Sequence, residues 1–251
     1  MKCLITGANG HLAKELQRIG KRHDIKYVPM VGHTECDISD ASSVAKYIYN
    51  HSDELFDIEK VIHCAAYTNV PGAELNRKQA IETNIIGTKN IISEICDFGV
   101  TAIYISTDYV YSGIMGNYKE TDSTSPVNFY ALTKLAGESY AGPDDLIIRT
   151  SFKPLVWQHP VAFSDLYTSA DYIDVIAKKI SFLILHDAQG IYNVGTERKS
   201  IYELAVRKNK HISPISRLSI KGVRLPEDVS MNTEKYDAFY NEIVGGNNGR
   251  K

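Results

Sequence analysis

The chain has no block of like charge, no apolar run approaching a membrane span and no cysteine pair at ligand spacing. Each absence removes a class of function. With 28 Lys and Arg against 30 Asp and Glu the formal charge is −2, which gives no electrostatic basis for general nucleic-acid or anionic-membrane binding. A bilayer-spanning helix needs about 20 apolar residues, and no run reaches that length. The four cysteines, Cys3, Cys36, Cys64 and Cys96, show neither CxxC nor Cys/His spacing, so the expectation is a reduced, cytoplasmic protein without a metal. His63 and Cys64 are adjacent, but neighbours on a predicted strand point to opposite faces. The amino terminus reads as a strand entering a glycine turn and not as a signal peptide. There is no internal repeat.

What is present is alternation. Short Ile- and Val-rich runs predict strands at 2–6, 26–30, 60–66, 101–106, 146–149 and 191–194. Helical periodicity predicts helices over 11–22, 40–51, 73–98, 128–141, 169–186 and 200–209. Strands without polar alternation are covered on both faces, so this rhythm gives an α/β fold with a doubly wound parallel sheet. A chain of 251 residues can bury a full core as one domain with an attached lobe. The rhythm loosens after Thr150. Residues 151–168 and 211–235 show little periodicity and are expected to form a small lobe facing the sheet's carboxyl edge. The expected division is 1–150 for the dinucleotide-binding domain, 151–240 for a small lobe interleaved with the last core elements, and 241–251 for a flexible tail.

Two motifs carry chemistry. In the first, Gly7-x-x-Gly10-x-x-Ala13 follows a strand and opens a helix. Gly7 permits a tight turn, Gly10 lets backbone approach a pyrophosphate, and Ala13 lets helix and strand pack closely. The helix amino terminus favours the phosphate charge. Such a pattern is also found in ordinary β–α turns; its position between strand and helix makes it a dinucleotide site, with Asn9, His11 and Leu12 alongside. The second strand ends in Met30-Val-Gly-His33, with no acid to bond the ribose 2′-hydroxyl of NAD. That absence removes repulsion against a 2′-phosphate, which Lys21, Arg22 or His33 would reach. NADP(H) is therefore favoured, with NAD(H) as the alternative. Asp37, followed by Ile38, either bonds the adenine amino group or caps the helix beginning near Asp40. Cys64-Ala65-Ala66, followed by Tyr67, offers a small-residue wall beside the cofactor.

In the second motif, Tyr130 and Lys134 lie four residues apart, one above the other on a helix. A nearby ammonium favours the phenolate. Bringing a Tyr from about 10 towards neutrality takes roughly 3 pKa units, or about 4 kcal/mol. Thr107, in Ser106-Thr-Asp-Tyr109 at the end of the fourth predicted strand, can hold a carbonyl oxygen against the Tyr while hydride arrives from the other side.

Together these elements resemble the extended short-chain dehydrogenase/reductase family, most closely its dTDP-4-dehydrorhamnose reductase branch. The resemblance rests on Thr6-Gly-Ala-Asn-Gly10, Cys36-Asp-Ile38, Ala65-Ala-Tyr-Thr68, Glu82-Thr-Asn-Ile-Ile-Gly-Thr88 and Ile105-Ser-Thr-Asp-Tyr-Val-Tyr111. It continues through Ser125-Pro-Val-Asn-Phe-Tyr130, Lys134-Leu-Ala-Gly-Glu138 and Ile148-Arg-Thr-Ser151, then thins to Tyr192-Asn-Val-Gly195, Ser200 and Arg224…Lys235. It implies a Rossmann-like domain with a small, shortened carboxyl-terminal substrate lobe. By that resemblance Thr107, Tyr130 and Lys134 are catalytic. Tyr130 donates the proton, Lys134 bonds the nicotinamide ribose and lowers the Tyr130 pKa, and Thr107 bonds the substrate oxygen. Asn84 matches an asparagine that braces the site, or else is a solvent-facing helix residue. Dehydratases of this family carry Asp-Glu after the catalytic Thr; here Asp108-Tyr109 follow, which looks like a reductase. Asp108 is either structural or part of the substrate site.

The implied function is reduction, with NAD(P)H, of the C4 ketone of a nucleotide-linked 4-keto-6-deoxy sugar. An epimerase or epimerase–reductase is the near alternative. A cofactor-binding subunit without turnover is the distant one, as in the regulatory subunit of methionine adenosyltransferase. The chain departs from the branch at Pro71-Gly72, where an acid–base pair is usual, and at Phe152-Lys-Pro154, which replaces Trp-Val-Tyr. Phe152 and Trp157 either stack on a nucleotide base or pack the lobe. Arg224 and Lys153 either meet a substrate diphosphate or are surface charges. Partners implied are a nucleotide sugar and, by default, a second copy of the chain in a homodimer.

Overall fold

The computed structural model describes residues 1–96 and 99–247. The first strands are β1 (Lys2–Thr6), β2 (Lys26–Met30), β3 (Lys60–His63), β4 (Thr101–Thr107) and β5 (Leu146–Thr150). Four short ones follow, β6 (Phe152–Lys153), β7 (Val161–Phe163), β8 (Tyr167–Thr168) and β9 (Asp171–Tyr172). Then come β10 (Gly190–Val194), β11 (Lys199–Ser200) and β12 (Ser213–Ile215). Six of these form a wholly parallel sheet in the order β10-β5-β4-β3-β1-β2. The chain runs from β1 outward to β2, then returns to the other side of β1 as β3. Strand order reverses there, and such sheets open a ligand crevice at that place, beyond the strands' carboxyl ends.

Successive strand residues project to opposite faces, and the packing follows that alternation. Cys3, Ile5, Ile62, Ile103 and Ile148 pack with the helices His11–Gly20 and Ile173–Leu185 in one core. Leu4, Val28, Val61 and Ala102 pack with Ala41–Asn50 and Gly87–Cys96 in the other. Both faces are buried, which is why the strands lack polar alternation and the sheet is doubly wound.

Several boundaries differ from the periodicity, each for a local reason. The predicted helix over 73–98 begins earlier and is broken into Val70–Leu75, Arg77–Ile81, a π-helical turn at Glu82–Ile86, and Gly87–Cys96. Asn69 caps the first piece by accepting from the Gly72 amide at 2.9 Å, and Pro71 fits its first turn, where an amide proton has no helical partner. Residues 97 and 98 of the predicted helix lie outside the described residues. β3 stops at His63 and not at 66. There the Ala65 amide donates to Thr6 Oγ1 at 3.1 Å and so leaves the ladder. The predicted helix over 169–186 starts at Ile173, because Asp171 and Tyr172 pair with β6.

β7 pairs with β12 and β8 with β11, so the two stretches of low periodicity meet. Glu234–Asn247 is helical although no helix is predicted there, and it takes in the first part of the expected tail. Its Tyr236 and Phe239 pack edge-on against Phe182, and Phe239 also packs against Tyr192. Residues 248–251 lie outside the described residues. Among the described residues no helix is long and apolar enough to cross a membrane.

Candidate active site

A cavity of about 650 Å³ opens where β1 to β5 end. Gly7, Asn9, Gly10, His11 and Leu12 line it from the first turn, Ile38 from beyond β2, and Cys64, Ala65 and Ala66 from beyond β3. Tyr109, Tyr130 and Phe152 also line it. Gly7 has φ +61°, and a Cβ there would lie 2.8 Å from the Ala65 backbone, so both conformation and close approach require glycine. Gly10 occupies the cap position of the helix His11–Gly20, with no side-chain cap and no acid in the first turn. The first helix amides therefore have no side-chain acceptor, and together with the helix dipole they suit a pyrophosphate.

Among the described residues no Asp or Glu lines the cavity, and Met30 and Gly32 form its wall at the end of β2. Lys21 and Arg22 do not serve the 2′-phosphate position. They follow the far end of a 10-residue helix, about 15 Å of helix rise from Gly10. The side chain of His33 lies outside the described residues. Asp37 accepts from the Ser39 amide and hydroxyl at 3.0 and 2.7 Å, within a tight turn. The helix cap is Asp40, which accepts from the Ser42 amide at 2.9 Å.

Asn84 is fully buried on the π turn and faces inward. Its Oδ1 accepts from the Tyr67 amide at 2.7 Å, and its Nδ2 donates to the Tyr67 carbonyl at 3.1 Å and to Thr133 Oγ1 at 2.9 Å. It thus ties the loop after β3 to the helix Phe129–Glu138. His63 sits beneath, its two ring nitrogens bonded to Thr6 and Thr88 hydroxyls at 2.9 and 3.1 Å. Burial pulls its pKa down to about 3, so it is a neutral polar brace.

Tyr130 and Lys134 share the helix Phe129–Glu138, which Asn128 caps by accepting from the Ala131 amide at 2.9 Å. Burial pushes the Tyr130 phenol up to about 12, against a hydrogen bond with Thr107 and with Asp108 adding to the rise. The expected lowering by Lys134 does not prevail. Lys134 is buried, with its ammonium 4.1 Å from the centre of the Tyr104 ring, and burial brings it down to about 7. Thr107 Oγ1 accepts from the Tyr109 amide and donates to Asp108 Oδ1, both at 3.2 Å. Asp108 is wholly buried; burial raises its carboxyl to about 6, opposed by Thr168, Lys153 and Thr107. Its Oδ2 accepts from Thr168 Oγ1 on β8 at 2.9 Å. Thr107, Asp108 and Thr168 thus form one hydrogen-bonded group beside Tyr130, with Lys134 one helical turn further on.

Two predicted substrate residues stand apart from this group. Trp157 does not line the cavity; it packs against the cluster around Ala162 and Leu166, and its Nε1 donates to the Val161 carbonyl at 3.4 Å. Arg224 is exposed, and its backbone carbonyl accepts from Asn128 Nδ2 at 3.2 Å. Tyr67 takes part through its backbone bonds to Asn84. The buried clamp behind the site was not anticipated as a pair. Glu138, at the end of the helix Phe129–Glu138, accepts from Arg149 Nε at 3.0 Å and Nη2 at 2.7 Å, and also from Ser106 Oγ at 2.5 Å. An arginine inside the apolar strand Leu146–Thr150 was the available signal, since a buried cation needs a partner.

Residues 1–156 match the family described as RmlD substrate binding domain. A dTDP-4-dehydrorhamnose reductase of Mycobacterium tuberculosis is 35% identical over 159 residues, which cover 60% of this chain and 50% of that protein. A dTDP-4-keto-6-deoxy-D-glucose reductase of Streptomyces niveus is 29% identical over 212 residues, covering 76% and 71%. A dTDP-4-dehydrorhamnose reductase from Bacillus anthracis, solved in complex with NADP, superposes with a TM-score of 0.83 at 26% identity, covering 95% of this chain and 92% of that one. The chain spans about half the length of the first curated relatives it matches. With the parallel sheet and strand-end cavity already described, the match over residues 1–156 shows that the chain belongs to the RmlD substrate-binding domain family, within the extended short-chain dehydrogenase/reductase fold.

Proposed function

We propose that the protein is an NADPH-dependent reductase acting on the C4 ketone of a nucleotide-linked 4-keto-6-deoxy sugar, similar to dTDP-4-dehydrorhamnose reductase. The observation that carries this reading is that Tyr130, one helical turn before Lys134, lines the same cavity as the uncapped turn Gly7–Gly10. A bound nicotinamide would supply hydride to the carbonyl carbon. Tyr130, held protonated by burial, gives its proton to the carbonyl oxygen. Thr107 orients that oxygen by turning to it the hydroxyl proton that it otherwise gives Asp108. Prepositioned groups of this kind stabilise charge where it develops. Lys134 hydrogen-bonds the cofactor ribose, and Asn84 keeps the helix and the wall after β3 in register.

NADP(H) is favoured over NAD(H) because no carboxylate lines the wall beyond β2, and because the Bacillus anthracis relative was solved with NADP. On the substrate side, Tyr109 and Phe152 face the sugar nucleotide, while Trp157 and Arg224 serve packing and surface. The lobe built from residues 151–240 covers the substrate. A cytoplasmic homodimer completes the reading, supported by exposed Leu75, Ile86 and Leu132 on neighbouring helices.

The test is NADPH oxidation with a dTDP-4-keto-6-deoxy sugar, comparing wild type with Tyr130→Phe. Wild type should turn over. The variant should lose about 10²–10⁴-fold in kcat, the usual worth of a general acid, with NADPH affinity within about twofold. Full activity in Tyr130→Phe would remove the mechanism. Binding of NADPH without turnover of any such sugar would turn the reading towards a binding subunit.

A further inference from the structure

Among the described residues, Lys153 is the only Lys or Arg lining the cavity, and no Asp or Glu lines it. The residue is held on β6 by parallel pairing with β9, where Lys153 is in register with Tyr172. Burial lowers its ammonium from the usual lysine value, and Asp108 is the charge that opposes this. Among the described residues the ammonium makes no hydrogen bond and no ion pair within 4.0 Å. Lys153 is half-buried, and a cation at a cavity wall without a bonded acceptor is stabilised when an anion meets it there. The cavity thus has two anion-seeking places, the uncapped turn at Gly7–Gly10 and Lys153.

We propose that Lys153 is a specificity-determining residue that holds the diphosphate of the sugar nucleotide. The inference rests on the reductase reading, which sets the sugar's C4 oxygen against Tyr130. The sugar's C1 phosphate would then lie one pyranose ring from Tyr130, in the cavity that Tyr109, Phe152 and Lys153 also line. Two cations were candidates for this role from the sequence. Arg224 is exposed outside the cavity and Lys153 lines it, so the lysine takes the role. A diphosphate is also part of the cofactor, and the two sources are separable by experiment.

The full chain is titrated by calorimetry with NADPH alone, and with dTDP after saturation by NADP⁺, as wild type, Lys153→Met and Lys153→Arg. Lys153→Met should weaken dTDP at least tenfold, Lys153→Arg should stay within threefold, and NADPH should stay within twofold in all three. Unchanged dTDP affinity in Lys153→Met overturns the inference while leaving the reductase reading intact. A loss confined to NADPH assigns the lysine to the cofactor's diphosphate and also overturns it. Wild type that takes NADPH but neither dTDP nor UDP removes the sugar-nucleotide reading and the inference together. Retained NADPH binding shows that each variant is folded.

Discussion

Lys134 shows how burial and function oppose each other in a single side chain. Its ammonium lies over Tyr104, nearly out of contact with water, and burial brings it from the usual 10.5 to about 7. Between those two values the unfolded chain binds the proton and the folded chain does not. Stability therefore rises with pH across that window, and the penalty of the buried amine is felt most at its lower end. Lys134→Met removes the penalty. At pH 7 the variant should melt at or above the wild-type temperature, and the gap should close towards pH 10. NADPH affinity should meanwhile fall at least tenfold. Calorimetric melting at both pH values, with an NADPH titration, checks both halves; a lower melting temperature with unchanged affinity contradicts the assignment. Tyr130 follows the same logic with the opposite sign of charge: burial keeps its proton on, which suits a donor.

The helix Phe129–Glu138 is the element on which the site depends, and it is fixed along its length. Asn128 caps its start, Thr133 meets Asn84, and Glu138 locks its end to β5 through Arg149. The two side chains of that ion pair are 7% and 5% exposed. Removing one partner of such a pair leaves the other buried and uncompensated, at about 3–5 kcal/mol. Glu138→Gln should lose stability of that order in urea unfolding, and Glu138→Gln with Arg149→Met should recover part of it. If the double variant is as unstable as the sum of the singles, the pair is not coupled. Gly137 shows the same closeness. A Cβ there would fall 2.2 Å from the Tyr104 hydroxyl and 2.9 Å from the Asn84 carbonyl. Gly137→Ala should destabilise by about 1–3 kcal/mol and lower kcat, because the clash displaces the Lys134 turn from Tyr104. A neutral effect on both would show that the helix can shift freely.

At the scale of the molecule, the site is a meeting of five strand ends, so a cofactor spanning it should tie much of the sheet together. A ligand at a hundred times its Kd adds about 2.7 kcal/mol of stability. For a chain of this size that corresponds to a rise of roughly 5–10 °C in Tm. NADPH should produce a shift at least as large as NADH at equal concentration, and a larger shift with NADH would refute the cofactor preference. The preference now rests on the absence of an acid among the described cavity-lining residues. Glu35, which follows β2, is turned back to the Val31 amide at 3.3 Å, and Lys21 and Arg22 stand at the other end of their helix.

The alternation of apolar strands and amphipathic helices was legible without coordinates, because a parallel sheet covered on both faces must be built of apolar strands. The glycine turn and the Tyr130–Lys134 spacing were legible for a similar reason: each is a pattern of residues close together in sequence. The tertiary structure decided the rest. It set the Lys134 ammonium over Tyr104, a residue 30 positions away in sequence, and buried the Tyr130 phenol, which pushes it up. It separated Trp157 and Arg224 from the cavity and placed Lys153 within it. It broke the long predicted helix at Asn84, whose hydrogen bonds run to Tyr67 and Thr133. It also joined Glu138 to Arg149. These are contacts between segments distant in sequence, and side-chain periodicity carries no record of which distant segments will meet.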